Sequence, residues 1–390
     1  MFPADARRLK IALLVLYFLP GVALASWITR TPAIREMLDV NVAEMGMVLF
    51  GMSTGAMTGV LASGPLISRI GARKVTTIGM ASLIGSLLFI AGGTGSGLIP
   101  LTVLGLFLFG AGVGLCEIAI NLEGAALERA TGTHVLHTLH GCFSLGALIG
   151  AVLGFVLTHF AVSLSVHLSV VFLVAAAAAL YFVRQLPPST GLRVRNEGEP
   201  TQSNGSVLGI VNGPLLLIGL IVLAVALAEG SATDWLPILA VDEYGTSKST
   251  GSLTYMAFAA AVTAGRLGGG GILKRYGRVA IIRGGAVISG LGMVAVIMGT
   301  APWMAVVGAV LWGLGVSMSF PLAISAAAEG EQGEQRVKLV AIMGYCAFLA
   351  GPPLLGLAGE AWGLRHAMLV VLGLTGVVLI IAGAARQNSR

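Results

Sequence analysis

The sequence GPLISRIGARK runs from Gly64 to Lys74, and a related sequence, GGILKRYGR, runs from Gly270 to Arg278. Both follow the pattern G-x-x-x-x-R-x-G, and each lies between two long apolar runs. A motif that recurs at the same place in a pattern of apolar runs indicates that the chain consists of two related halves. We call these two segments the duplicated loop. A weaker echo relates Gly110-x-Gly112 to Gly313-x-Gly315.

The composition excludes a soluble globular protein. The chain has 390 residues, of which 56% are hydrophobic and 10% are charged, whereas soluble proteins carry about 25% charged residues. Its 56 glycines are typical of membrane helices, in which small residues allow close packing. We therefore predict an all-α membrane protein.

Apolar runs long enough to cross a bilayer, about 20 residues, recur from end to end. We predict about twelve transmembrane helices, at 9–31, 43–66, 75–93, 99–124, 138–160, 165–184, 209–234, 249–272, 279–299, 303–327, 338–358 and 364–385. A polar stretch rich in Pro, Gly and Ser separates two groups of six. The predicted units are an N-terminal six-helix bundle (1–184), a cytoplasmic linker (185–208) and a C-terminal six-helix bundle (209–390), the bundles being pseudo-symmetric.

Lysine and arginine predict the orientation. With the N-terminus inside, most of them flank inner ends of spans, and the outer ends hold only Arg30, Arg35, Lys248 and Arg365. This bias follows the positive-inside rule and places both termini in the cytoplasm. The N-terminal sequence resembles a signal peptide, but we expect it to be retained. Its apolar run reaches Ile28, and Trp27 near Pro32 forms a further weak repeat with Trp235 near Pro237. Four tryptophans are expected at the outer interface, namely Trp27, Trp235, Trp303 and Trp362.

Two six-span halves, a polar linker and the duplicated loop together resemble the major facilitator superfamily. The resemblance implies a transporter fold in which this loop gates access, through Gly64, Arg69, Gly71, Arg73, Gly270, Arg275 and Gly277. In the family an aspartate precedes the arginine and pairs with the other half, whereas Ser68 and Lys274 stand here. Arg69 and Arg275 therefore either pair with other carboxylates and hold one conformation closed, or only follow the positive-inside rule.

Glu117 is the carboxylate placed deepest in a predicted span. Asn121 follows one helical turn later, and Gly110 and Gly114 continue the same face. An ionisable residue within a span costs ~3 kcal/mol and is a functional candidate. Glu117 is predicted to carry the coupling proton, the alternative being a hydrogen bond between helices. His140 is a second candidate proton acceptor.

The string Cys116 to Asn121 resembles the fourth span of the fucose-permease-like branch of the family. In that branch a glutamate and an asparagine at this spacing serve proton-coupled sugar uptake. The branch has a second acidic residue in span one, where this chain has Trp27, Thr29 and Arg30. The resemblance therefore implies proton-coupled uptake without settling that the solute is a sugar.

Further charged residues mark a candidate solute site. Arg30 and Trp27 share one face of span one and could attract an anionic solute, with Glu229, Asp234 and Trp235 of span seven as partners. This arrangement would form an outer gate; the alternative is a set of interfacial charges. Arg266 either snorkels to the inner interface or pairs with Glu123 or Glu329.

These patterns predict a secondary transporter of the bacterial inner membrane that moves a small polar solute by alternating access, most simply by proton symport. The alternatives are a proton antiporter that exports drugs or metabolites and a solute-binding sensor. No enzyme motif, cofactor or nucleic-acid partner is expected, and the protein is predicted to be a monomer that interacts with solute, protons and lipid. His134, His137 and His140 lack a completing metal ligand, so no metal is expected.

Overall fold

The computed structural model describes residues 3–133, 135–192, 212–329 and 332–386. This part of the chain is almost entirely helical. The helices are α1 (Pro3–Ile28), α2 (Thr31–Leu38), α3 (Val42–Ile70), α4 (Ala72–Gly95), α5 (Ile99–Thr131), α6 (Leu136–His159), α7 (Leu164–Val183), α8 (Gly213–Asp242), α9 (Lys248–Met298), α10 (Pro302–Val316), α11 (Ser319–Ala327), α12 (Gly333–Trp362) and α13 (Leu364–Ile381).

The prediction of about twelve membrane spans is confirmed. Eleven helical segments of the described chain are long and apolar enough to cross a membrane. One of them, α9, is two helices joined at Gly277, whose φ of 77° and ψ of 168° are not helical. Helices α10 and α11 together form one span, Pro302–Ala327. The short helix α2, between the first two spans, was not predicted from the sequence.

The chain divides into two compact units. Unit 1 comprises Met1–Val194 and Ser247–Met256, and unit 2 comprises Arg195–Thr246 and Ala257–Arg390. The start of α9 belongs to unit 1 because Ser252 Oγ donates a hydrogen bond to the carbonyl oxygen of Thr29 at 2.8 Å. An ion pair between Lys248 and Glu36 adds to this contact.

Glycines bring the helices of unit 1 into close contact. A Cβ atom added to Gly55 would overlap the carbonyl oxygen of Phe107 on α5, and Gly51 and Gly59 meet the same helix in the same way. The backbones of α3 and α5 can approach this closely only because the residues at the crossing have no side chain. Gly51, Gly55 and Gly59 therefore form a close-packing face on α3.

The weaker sequence repeat, Gly110-x-Gly112 and Gly313-x-Gly315, is also a repeat in the structure. In unit 1, Gly110 packs on α3 at Met52 and Gly112 packs on α4 at Gly79. In unit 2, Gly313 packs on Phe258 in the first part of α9, and Gly315 packs on Gly285 in the second part. One glycine of each pair thus contacts the second membrane span of its unit, and the other contacts the third span.

The second glycine of the duplicated loop adopts the same backbone conformation in both units. Gly71 has φ 85° and ψ 156°, close to the values of Gly277. This region of backbone space is open essentially to glycine alone. The requirement for a sharp turn between two membrane helices explains why the glycine recurs.

The chain that follows the last helix of each unit returns to this turn. In unit 1, Ala72 donates its backbone N–H to the carbonyl oxygen of Thr190 at 2.9 Å. In unit 2, Arg278 Nη1 donates to the carbonyl oxygen of Ala385 at 3.4 Å, and Arg278 Nη2 bonds to Glu329 at 2.6 Å. The described start of the predicted linker, residues 185–192, is therefore packed on the loop; the rest of that linker lies outside the described residues.

The four tryptophans expected at the outer interface differ in their burial. Trp27 and Trp235 are fully buried inside the protein, whereas Trp303 and Trp362 are each 64% exposed. The ring of Trp27 packs edge-on against Phe109, with centroids 6.0 Å apart. The rings of Trp27 and Trp235 therefore contact protein, and the interfacial position of the four residues stays a prediction.

Candidate functional site

Glu117 lies on α5, half-buried, and makes no hydrogen bond or ion pair with the described residues. Its face of the helix is set by Gly110 and Gly114, which press against the backbone of α3 at Met52 and Ala56. Close packing there holds α5 in place, so Glu117 and Asn121 project from a fixed helix. Within the described part of the chain, the carboxylate has no guanidinium or ammonium group to balance a negative charge.

Tyr17 connects Asn121 and His140. Its hydroxyl donates to Asn121 Oδ1 at 3.3 Å and lies 3.5 Å from His140 Nδ1, while the Tyr17 and His140 rings meet edge-on at 5.2 Å. Helices α1, α5 and α6 thus bring together two predicted site residues and a tyrosine that was not predicted. The available signal was a single tyrosine in an otherwise apolar span. His134 and the side chain of His137 lie outside the described residues.

Arg30, which follows the first span, has partners in unit 1. Its Nε donates to His167 Nδ1 at 3.3 Å and its Nη2 donates to the carbonyl oxygen of Val162 at 2.6 Å. The side chain is 5% exposed, and this burial lowers the pKa of Arg30 from its ordinary value. Arg30 therefore ties the end of α1 to the turn between α6 and α7.

Glu229 has a partner within unit 2. Its Oε1 accepts a hydrogen bond from Arg266 Nη2 at 2.8 Å, and Arg266 Nε donates to the carbonyl oxygen of Ser317 at 3.4 Å. The alternative pairing of Arg266 with Glu329 was wrong, because Glu329 pairs with Arg278. The pairings of Arg30 with Glu229 and of Arg266 with Glu123, which would join the two units, stay predictions. An intramembrane guanidinium takes the nearest carboxylate on its neighbouring helix, because leaving either charge unpaired is costly.

The two remaining candidates of span seven line a cavity in unit 2. Asp234 and Trp235 of α8 line a small cavity, and Phe348 and Pro352 of α12 lie on its other side. Asp234 has no hydrogen bond or ion pair with the described residues. The indole Nε1 of Trp235 is buried and also lacks a partner there.

Two arginines of the duplicated loop lie at the surface of the protein. Arg69 and Arg275 are exposed, and Arg275 lies over the ring of Tyr276 at 5.3 Å. Neither arginine, nor Arg73, forms an ion pair with the described part of the chain. Gly64 and Gly270 have open space where a Cβ atom would lie. Their gating role stays a prediction.

Comparison with known proteins identifies the family. The model of the Major Facilitator Superfamily matches residues 13–346. The chain belongs to this superfamily. The "Uncharacterized transporter y4wD" of Sinorhizobium fredii is 31% identical over 373 residues, which are 95% of this chain and 96% of that protein. This major facilitator protein is therefore a multi-pass membrane transporter and not an enzyme.

Two solved transporters share its fold. The nucleoside transporter NupG superposes with a TM-score of 0.70 at 18% identity, covering 97% of this chain and 98% of NupG. The fucose:proton symporter FucP of E. coli superposes with a TM-score of 0.67 at 17% identity, covering 97% and 98%. At the level of the fold, these matches agree with the resemblance to fucose permeases.

Proposed function

We propose that this superfamily member is a proton-coupled symporter of the bacterial inner membrane, with both termini cytoplasmic. It moves a small polar solute, of the sugar or sugar-acid kind, by alternating access between two six-helix halves. The single observation that carries the proposal is the isolated carboxylate of Glu117, one turn from Asn121 on α5.

An isolated carboxylate suits proton coupling for an electrostatic reason. A buried charge without a partner costs several kcal/mol, roughly 3–5 when a pair is broken. Glu117 is therefore suited to hold a proton while it is closed off from water and to release it when water enters. This change of charge links proton movement to the opening of one side of the membrane.

The neighbouring polar groups suit a hydroxylated solute. The amide of Asn121 offers both a donor and an acceptor, and Tyr17 and His140 add a hydroxyl and an imidazole beside it. NupG is a nucleoside transporter and FucP is a fucose:proton symporter, and both activities support a solute of this chemistry. Arg30, Trp27, Glu229, Asp234 and Trp235 complete the set of proposed solute-binding residues.

These residues fall into two groups by their burial. Glu229 and Asp234 carry carboxylates on the half-buried face of α8, where a solute could reach them. Arg30 and Trp27 are packed within unit 1. They are therefore proposed to shape the solute site in that unit and to contact only those solutes that reach them. The duplicated loop is proposed to gate access through the glycine turns.

The experiment is transport in liposomes with an internal pH dye. Neutral sugars, sugar acids, small carboxylates and cationic drugs are applied to the wild type, Glu117→Gln and Glu44→Gln. Glu44 is a matched control because it caps α3 in unit 1, and glutamine serves in that capping role. We expect one solute class to drive protons inward in the wild type and the control, but not in Glu117→Gln.

Each other outcome selects a different function. Proton movement opposite to the solute makes the protein an antiporter that exports drugs or metabolites. Solute flux without a proton signal makes it a uniporter or a transporter coupled to another ion, and contradicts coupling through Glu117. Binding without flux makes it a sensor.

A further inference from the structure

The cavity beside Asp234 contains polar groups that the fold itself does not satisfy. Ser231, Asp234 and Trp235 of α8 line one side, and Phe348 and Pro352 of α12 line the other. The hydroxyl of Ser231 donates to the carbonyl oxygen of Leu227, which leaves its lone pairs directed elsewhere. The indole Nε1 of Trp235 is a buried donor without an acceptor among the described residues, on a side chain that is 0% exposed.

The charge balance of α8 singles out Asp234. The carboxylate of Glu229 is paired with Arg266, and that of Glu243, which caps the helix, lies 3.7 Å from Arg365 Nε. Asp234 has no cationic partner in the described part of the chain. A carboxylate inside a membrane span is costly unless a positive charge neutralises it.

The chemistry of the lining selects the charge of an occupant. In its ionised form a carboxylate repels anions and attracts cations. Aromatic faces such as those of Trp235 and Phe348 attract cations. Pro352 has no backbone N–H to donate within α12.

We infer that Asp234, with Ser231 and Trp235, forms a binding site for a small monovalent cation. The cation is either a free ion such as Na⁺ or the ammonium end of a solute, since both offer one positive charge. A water of the ion, or a hydroxyl of the solute, accepts the hydrogen bond of the Trp235 indole. The site lies within unit 2 and does not depend on proton coupling through Glu117.

The test is the unfolding temperature of the purified, detergent-solubilised protein in three chloride salts at equal ionic strength. Na⁺ and methylammonium are the small test cations, and tetramethylammonium is the bulky reference cation. We expect at least one small cation to raise the unfolding temperature of the wild type by about 3 °C or more over the reference. A response to Na⁺ indicates a free-ion site, and a response to methylammonium alone indicates an ammonium-bearing solute.

Two variants make the result specific. Asp234→Asn removes the charge at nearly constant shape and is expected to abolish the difference between salts. Asp242→Asn, at the exposed end of the same helix, is expected to retain it. Equal unfolding temperatures of the wild type in all three salts, or a response that persists in Asp234→Asn, would overturn the inference. If a variant does not fold, the comparison of the three salts in the wild type still tests the inference, because equal unfolding temperatures would overturn it.

Discussion

Glu229 on α8 and Arg266 on α9 form an intramembrane ion pair, with Oε1 and Nη2 2.8 Å apart and about a quarter of each side chain exposed. The pair joins two helices of unit 2, and Arg266 extends the link to Ser317 after α10. The guanidinium of Arg266 therefore connects α8, α9 and the end of α10. We expect its loss to lower the stability of unit 2.

Removal of one partner of this pair should cost more than removal of both. We expect Glu229→Gln or Arg266→Gln to lower the free energy of unfolding by about 2 kcal/mol, because each leaves a charge uncompensated in partly buried surroundings. The double variant should recover part of this loss. A double-mutant cycle of unfolding temperatures in detergent measures the coupling. Additive losses would show that the two side chains act independently.

Substitution of the turn glycines should act through backbone strain alone. We expect Gly277→Ala to destabilise the protein by about 1–2 kcal/mol, since a Cβ atom there meets no neighbour but φ is 77°. Gly270→Ala is the matched control: its site is equally open but helical, so alanine should be neutral or stabilise by up to about 1 kcal/mol. Equal effects of the two changes on the unfolding temperature would refute the role of the turn.

The crossing of α3 and α5 should not tolerate a methyl group. We expect Gly55→Ala to cost about 1–3 kcal/mol, because the new Cβ atom would overlap the backbone of α5 at Phe107. Gly85→Ala, on α4, adds the same group where nothing lies within 4 Å, and it should be tolerated. Thermal unfolding of both variants checks this, and a tolerated Gly55→Ala would mean that the helices separate easily.

Tyr244 should make stability sensitive to alkaline pH. Burial raises its pKa above the ordinary 10.0, Glu243 adds to the rise and Arg365 opposes it. A raised pKa means that the folded state holds the phenolic proton more tightly, so the stabilisation is complete below pH ~10 and is lost as the pH rises further.

Comparison with Tyr244→Phe isolates this effect. The hydroxyl donates to the carbonyl oxygen of Val296 at 2.6 Å, so its removal should cost about 1 kcal/mol at neutral pH. The difference in unfolding temperature between wild type and variant should narrow as the pH rises above about 10. A difference that stays constant with pH would contradict the assignment.

The spans and the repeat could be predicted from the sequence because both depend on local patterns. Apolar runs are long enough to count, and a glycine in the backbone conformation of Gly71 and Gly277 has no substitute. These features depend on residues that are close in sequence, so they do not depend on how distant parts of the chain are arranged.

The partners of charged side chains could not be predicted in this way. Arg30 and His167 are 137 positions apart, and Arg266 and Glu229 are 37 apart. Which carboxylate an arginine takes depends on the rotation of packed helices, which composition does not determine. Trp27 shows the same limit, because its burial against Phe109 depends on how α1 meets α5.

Solute exchange tests most directly whether Glu117 carries the coupling proton. Liposomes with the identified solute on both sides are assayed for exchange and, separately, for accumulation driven by a pH gradient. We predict that Glu117→Gln exchanges solute but no longer accumulates it, while Glu44→Gln does both. If Glu117→Gln still accumulates solute against its gradient, the coupling proton is carried elsewhere and the proposed role of Glu117 is contradicted.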